Sequence, residues 1–329
     1  MSNSNSGASV IWKLRNIEST YWEEYIATRP AYEEGIFQRI DAYLDNHSMP
    51  RKTALDIGSG SGSVLEPLKR RFDQVIASDN DLASLAFAQR RYSKVSSRDL
   101  SYTLSSGEDL LQHHSPGSFD IITCAETFPL LDTQAALDNI HTLLRPGGVL
   151  AIWFYGPPFF TEAAYAPTCQ RILDIIMDQN FRPVVSGGDD FHKRSWKRAA
   201  DGKFSWLDYI PLSSHKWTDV RRHKWNTHAR LSFFTPNACD FPVRASGSVG
   251  EHETVSEEDD PSFWSVTWDV GMLRRFVKAS FPKPRDLAGM DGTIDQLFER
   301  LMKAMGGENV SRKLSWPAVL ILAVKAIER

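Results

Sequence analysis

An aspartate stands two residues ahead of three alternating glycines in Asp56-Ile-Gly-Ser-Gly-Ser-Gly62. Glycine reaches backbone angles closed to other residues and lets a ligand approach the main chain without meeting a Cβ. Gly58, Ser59, Gly60 and Gly62 can therefore wrap a small charged molecule. A dinucleotide fingerprint, G-x-G-x-x-G, would put its third glycine where this chain has Ser63. The Asp56 carboxylate would repel a pyrophosphate and suits a cationic ligand or an ammonium group. Asp79, at the end of the next apolar run, is placed to accept hydrogen bonds from two ribose hydroxyls. In the second half, His192, His215, His223 and His228 could each serve as a general base toward a hydroxyl, although a surface or core histidine is the commoner outcome for each. Their spacing supports no metal site.

The elements that must position these groups alternate. Thr53–Ile57, Gln74–Asp79, Leu100–Leu104, Phe119–Cys124 and Val149–Tyr155 read as short buried strands, with helices over Leu82–Tyr92 and Leu137–Leu144 between them. Such alternation predicts an α/β, Rossmann-like, doubly wound sheet, expected here to have seven strands. Ahead of it, Ile11–Tyr25 and Tyr32–Leu44 have helical spacing and are broken at Arg29-Pro30. Their aromatics either pack a helix onto the core or fold it over the cofactor mouth as a lid. The expected organisation is residues 1–48 as an N-terminal segment and helical lid, 49–155 as the cofactor-binding core, and 156–329 as a substrate cap with the last sheet strands.

Beyond Gly156-Pro157-Pro158 the alternation is lost. Thr168–Asp178, Trp268–Ser280 and Ile294–Met305 predict helices, Ala229–Phe234 a strand, and Ser315–Lys325 a last buried strand. Phe191–Trp225 is basic and aromatic, and Ala245–Pro261 reads as an acidic, mobile loop.

Composition narrows the function classes. At 42% hydrophobic and 24% charged residues the chain is ordinary globular material, and a net charge of -3 gives no general attraction to nucleic acid or anionic membranes. Cys124, Cys169 and Cys239 are too scattered for a disulfide frame or zinc site. The Ser/Asn-rich start lacks a signal-peptide core, and no apolar run approaches the roughly 20 residues needed to cross a bilayer. The expectation is a cytoplasmic protein without a metal, its oligomeric state open.

The glycine run with Asp56 resembles motif I of class I S-adenosylmethionine-dependent methyltransferases, whose cofactor carries a sulfonium and an ammonium and no phosphate. Three further stretches resemble the trans-aconitate methyltransferase-like family: Tyr25-Ile-Ala-Thr-Arg-Pro-Ala-Tyr32 (Y-x-x-x-R-P-x-Y), Ala125-Glu-Thr-Phe-Pro-Leu-Leu-Asp132 (A-E-x-x-H-W-h-D), and Leu144-Arg-Pro-Gly-Gly-Val-Leu-Ala-Ile-Trp-Phe-Tyr155 (L-K-P-G-G-x-L-A-I-W-x-Y). The resemblance implies that Gly58, Ser59, Gly60 and Gly62 line the methionine part of the cofactor and Asp56 holds its ammonium. Asp79 would bind the ribose, Asn80 would lie beside the adenine, and Gly107 and Glu108 would flank the adenine edge. Ala125 and Glu126 would lie beneath the methionyl chain. Tyr25 and Arg29 would close over the top, with Arg29 available to the cofactor carboxylate.

Pro129-Leu130 replaces the family's His-Trp pair, and its late R-T-W-S is not recognisable around Lys278-Ala-Ser-Phe281. A small tricarboxylic acceptor is therefore disfavoured. Trp22, Phe128, Tyr155 and Phe159 are candidates for an apolar acceptor pocket, and Trp153 is better read as core. The expected activity is in-line O-methylation of an apolar small molecule of secondary-metabolite type, at a hydroxyl or carboxylate. The basic-aromatic run leaves open an RNA or protein methyltransferase, and the altered His-Trp pair leaves open a cofactor-binding protein without transfer.

Overall fold

The computed structural model describes residues 19–93, 99–187, 190–281 and 291–327. Five strands, β1 (Thr53–Ile57), β2 (Gln74–Asp79), β3 (Leu100–Leu104), β4 (Phe119–Ala125) and β5 (Leu144–Tyr155), run parallel in the order β3-β2-β1-β4-β5. β4 is buried at every position and β5 from Val149 onward, as strands covered on both faces must be. The first half also contains α1 (Ser19–Thr28), α2 (Glu34–Asn46), α3 (Leu65–Lys69), α4 (Leu82–Tyr92) and α5 (Thr133–Leu143). α4 and α5 begin on aspartates whose carboxylates accept from the third residue on: Asp81 from the Ser84 amide at 2.8 Å and Asp132 from the Ala135 amide at 3.1 Å. The part of the first predicted helix before Ser19 lies outside the described residues.

The second half adds β6 (Phe159–Phe160), α6 (Ala166–Val185), α7 (Asp190–Phe204), β7 (Trp217–Trp225), β8 (Thr254–Glu258), β9 (Ser265–Trp268), α8 (Val270–Ala279), α9 (Asp291–Met305), β10 (Arg312–Ser315) and β11 (Ala318–Lys325). β11 joins the main sheet antiparallel to β5 on one side and to β7 on the other, and β8 closes the edge parallel to β7. A small antiparallel sheet, β6-β10-β9, lies apart.

Three expectations fail in this half. The main sheet has eight described strands, not seven, because the predicted acidic loop contains β8. Its Thr-Val-Ser-Glu-Glu sequence hides a strand, since an edge strand tolerates polar residues on its open side. Ala229–Phe234 forms no ladder; Phe233 and Phe234 instead pack with Phe181 at 5.9 and 5.7 Å between ring centroids. The basic-aromatic run divides between α7 and β7, and its cations are mostly matched by acids: Lys193 with Asp240, Lys197 with Asp201, Lys216 with Asp138, Arg221 with Asp219, and Lys224 with Asp208. Arg222 and Glu253 form an ion pair at 2.6 Å with both side chains fully buried, and the Arg222 guanidinium also donates to the Leu207 and Ile210 carbonyls.

Candidate active site

β1 is where the strand order reverses, and in open α/β sheets the crevice beyond the carboxyl ends of the strands at that point is the ligand site. A cavity of about 840 Å³, counting its open mouth, lies there. The turn after β1 forms one wall. The Gly58 and Ser59 amides donate to the Ser78 carbonyl at 2.8 and 2.9 Å, which anchors the turn to β2. Gly58 has φ +71°, and a Cβ there would come within 2.3 Å of Thr127, so glycine is required twice over. Gly60, with φ +52°, has open space where a Cβ would be.

Asp79 enters from the end of β2. One oxygen accepts from the Gly60 amide at 2.8 Å and the other from the Asp81 amide at 2.9 Å, so the carboxylate is fixed at the end of β2. Burial pushes its pKa up to about 6. Asp56 lies behind the turn and is almost wholly buried. Its Oδ1 accepts from the Thr123 hydroxyl at 2.7 Å, whereas Oδ2 is buried without a partner. Burial raises Asp56 to about 7, against the pull of the Thr123 hydrogen bond.

From the end of β4, Glu126 takes a left-handed backbone, φ +59°, that turns its carboxyl into the cavity. Its amide donates to the Trp153 carbonyl at 3.0 Å and its Oε1 accepts from the Tyr155 amide at 2.6 Å, tying β4 to β5. Burial raises Glu126 to about 8.

α1 contributes Trp22 and Tyr25, whose rings meet edge-on at 5.4 Å. The helix is clasped to α8: Tyr21 Oη donates to the Ala279 carbonyl at 3.0 Å, and Arg275 makes two bonds to Glu24 at 2.7 and 3.0 Å.

Of the sequence candidates, the cavity brings together Trp22, Tyr25, Gly58, Ser59, Gly60, Asp79, Asn80, Gly107, Ala125 and Glu126. Others fall outside its lining, Asp56 behind the glycine turn and Tyr155 beside Arg29 among them. Gly62 faces Leu65 and Tyr92. Glu108 accepts from the Asp132 amide at 2.8 Å. Arg29 donates to Tyr155 Oη at 2.8 Å and to the Ser280 carbonyl at 2.7 Å, its guanidinium set among the rings of Tyr25, Phe233, Phe276 and Tyr155. Phe128 is buried beneath the cavity, and Phe159 lies edge-on to His228, 5.0 Å between ring centroids. The histidines are engaged elsewhere or stand away: His223 shares a hydrogen bond with the Ser256 hydroxyl, His228 pairs with Asp259, His192 bonds the Val184 carbonyl, and His215 does not line the cavity.

Tyr32, Thr127, Leu130 and Leu131 line the cavity without having been singled out. Tyr32 was within the quoted Arg29-Pro30 stretch, and Leu130 within the altered His-Trp site. Among the described residues no group of His, Cys, Asp or Glu could hold a metal, and no helix is long and apolar enough to cross a membrane.

A glycine turn backed by a buried carboxylate, a second carboxylate fixed at the end of β2, and, among the described residues, a lining without lysine or arginine fit S-adenosylmethionine. Fold and site define a class I S-adenosylmethionine-dependent methyltransferase. Residues 55–152 match the methyltransferase-domain family. The chain is 40% identical over 327 residues to methyltransferase pgmE of Aspergillus terreus, covering 97% of this chain and 98% of that one. It is 34% identical to methyltransferase ptaI of Pestalotiopsis fici, covering 93% of each. This chain belongs to that family of fungal methyltransferases. The fold is also shared with a solved structure from Anaeromyxobacter dehalogenans assigned as a type II methyltransferase, with a TM-score of 0.56 at 17% identity over 91% of this chain and 99% of that one.

Proposed function

We propose that the protein transfers the methyl group of S-adenosylmethionine to an oxygen, hydroxyl or carboxylate, of an apolar small molecule. The observation that carries this is a single cavity whose floor is polar, with Asp79, Glu126 and the glycine turn, and whose other walls are Trp22, Tyr25, Tyr32, Leu130 and Leu131. In this reading Asp79 holds the ribose hydroxyls, the Gly58–Gly60 backbone faces the methionine end with Asp56 behind it, and Gly107 and Asn80 flank the adenine. Bound there, the cofactor supplies an activated methyl group. The chain's own work is orientation and exclusion of water, which can account for most of the acceleration of an in-line displacement. α1 contributes Trp22 and Tyr25 to the cavity, in keeping with a lid role for residues before 49, while its described lining contains no residue after 131 and so gives no support to a cap role for residues after 155.

The likeness to the trans-aconitate methyltransferase-like family is carried only to the cofactor side. Leu130 lines the wall where that family places its aromatic partner, which favours an apolar acceptor over a polyacid. An RNA acceptor is not favoured, because the cations of the basic run are largely spent on internal ion pairs.

The test is calorimetric titration with S-adenosylmethionine and, separately, NAD, followed by transfer of labelled methyl to panels of aromatic hydroxyls, aromatic carboxylates and RNA. Binding of the first cofactor alone with transfer to a hydroxyl or carboxylate is expected. Tight binding without transfer to any panel would point to a non-transferring protein, and transfer to RNA alone would overturn the small-molecule reading.

A further inference from the structure

The walls of the cavity carry two acids, Asp79 and Glu126, and two phenols, Tyr25 and Tyr32, and among the described lining residues no lysine, arginine or histidine. Asp79 is held by the Gly60 and Asp81 amides and has the ribose in the reading above. Glu126 is left without a task there. Of the described non-glycine residues with a left-handed backbone, it alone lines this cavity. That conformation is sparsely populated and persists where the surroundings over-determine it. Here they do, since the Glu126 amide is bound to the Trp153 carbonyl and its Oε1 to the Tyr155 amide.

The second oxygen is different. Among the described residues nothing bonds Glu126 Oε2, and it is not sealed within the protein. Tyr32 is set against the same two residues of β5, its ring edge-on to Trp153 at 5.6 Å and to Tyr155 at 6.2 Å between centroids. Its hydroxyl likewise has no bond to a described group and is not sealed. Trp153 and Tyr155 thus set a free carboxyl oxygen and a free phenol on one stretch of the cavity wall. On one side this stretch adjoins the glycine turn, because the next residue, Thr127, donates to the Gly58 carbonyl at 3.3 Å. Around it stand Trp22, Tyr25, Leu130 and Leu131, which suit a planar, apolar body.

We propose that Glu126 and Tyr32 form the subsite for the acceptor oxygen, that this oxygen belongs to a neutral phenolic hydroxyl, and that Glu126 Oε2 receives its proton while the Tyr32 hydroxyl donates to the oxygen. This rests on the methyltransferase reading and narrows its acceptor from a hydroxyl or carboxylate to a hydroxyl. A carboxylate would meet two acids and no cation in the lining. In the step, the acceptor O–H bond breaks, the proton forms a new O–H bond on the Glu126 carboxylate, and the electron pair stays on the acceptor oxygen, held by the Tyr32 hydrogen bond. Burial raises Glu126 to about 8, against the pull of the Tyr155 amide and of two cations behind the wall, Arg29 and Lys203 of α7. That brings the carboxyl closer to a phenol, which ionises at roughly 10, than an ordinary glutamate is.

The experiment uses the full chain saturated with S-adenosylhomocysteine at about pH 8, where much of the Glu126 carboxyl is ionised. It is titrated with 1-naphthol, with 1-methylnaphthalene, which has nearly the same shape and no hydroxyl, and with 1-naphthoate. The wild type is expected to bind 1-naphthol at least about tenfold more tightly than either of the others. Bound 1-naphthol, strongly acidic when excited, should emit as naphtholate because a carboxylate touches its hydroxyl. Glu126→Gln should shift that emission to neutral naphthol and tighten 1-naphthoate at least about fivefold, a gain that a damaged fold would not give. Tyr32→Phe should weaken 1-naphthol at least about threefold and leave 1-methylnaphthalene within twofold. A cooperative melt certifies that each variant is folded. Equal affinity for the three probes, binding of none, naphtholate emission that survives in Glu126→Gln, or 1-naphthoate bound no more tightly by that variant overturns the subsite. Failure of S-adenosylhomocysteine to bind the wild type would overturn the methyltransferase reading instead.

Discussion

The glycine turn with Asp56 and Asp79, and the aromatic packing around Lys203 and Arg29 outside the cavity lining, hold charges of opposite sign without an ion-pair partner among the described residues. Asp56 and Asp79 are satisfied only by neutral donors, a threonine hydroxyl and backbone amides. Lys203 and Arg29 meet aromatic rings, a phenol and a carbonyl. Further out, β7 also buries a cation, yet Arg222 has its carboxylate in Glu253 and two carbonyls besides. Arg222 is thus paired by charge within the chain, whereas Asp56, Asp79, Arg29 and Lys203 are met only by neutral groups within hydrogen-bond or ring contact.

The contrast can be broken most forcefully at the paired end. Glu253→Ala leaves Arg222 charged and fully buried, and should destabilise the protein by about 3–5 kcal/mol while the folded fraction binds S-adenosylmethionine unchanged. A urea midpoint close to wild type would show that the pair is not structural. Next in size, Asp79→Asn should weaken S-adenosylmethionine by about 10- to 100-fold, since each hydrogen bond to a charged group is worth roughly 1.5–3 kcal/mol. Its melting temperature should fall by only a few degrees, because the new amide nitrogen meets one of the two backbone donors that the carboxylate accepts while burial already disfavours the charge. A variant that loses stability and keeps affinity would reverse the roles assigned to the two regions.

A smaller effect sharpens the comparison through pH. Asp56, Asp79 and Glu126 are raised to about 7, 6 and 8 in the folded chain, chiefly by burial. Between about pH 4 and 8 the native state thus holds protons that the unfolded chain has released. Their stabilising contribution is full below the unfolded values and is lost as pH rises through the folded ones. Lys203, depressed to about 8, contributes in the opposite sense, its stability being lost as pH falls through that value. From pH 5 to 7 the carboxyls dominate, so the ligand-free melting temperature should drop by a few degrees, and Asp56→Asn should flatten the slope. A melting temperature that climbs across this range would contradict the assignment. Smallest of all, His223→Gln and His228→Gln should leave methyl transfer within twofold of wild type, since both rings are engaged outside the cavity. A tenfold loss in either would restore a histidine base.

What the sequence made legible follows from the range of the interactions. The β1 turn, Asp79 and the aspartate-capped helices are written in contiguous residues, so Gly58, Gly60 and Asp79 could be read directly. Lys203 could not, because its neighbours Phe154, Phe234 and Glu126 come from three distant segments. The one local sign was its seven-residue spacing from Trp196, which puts both on one helix face. β7 was hidden for a related reason: it lies within the run read only as basic and aromatic, and the acids that meet its cations, Glu253 and Asp208, come from distant segments. The strand predicted over Ala229–Phe234 was an error of period, an apolar run that serves side-chain packing and no ladder.

The place of β11 carries a consequence for how the protein is made. It sits between β5 and β7, yet about ninety residues separate the end of β7 from its first residue. At translation rates of roughly 5–20 residues per second, that interval keeps an apolar flank of β5 and one of β7 open to other strands for roughly 5–20 s. The nascent chain must shelter both edges until Ala318–Lys325 emerges, so a chaperone that covers strand edges should affect the yield of this protein more than any change at its catalytic pocket.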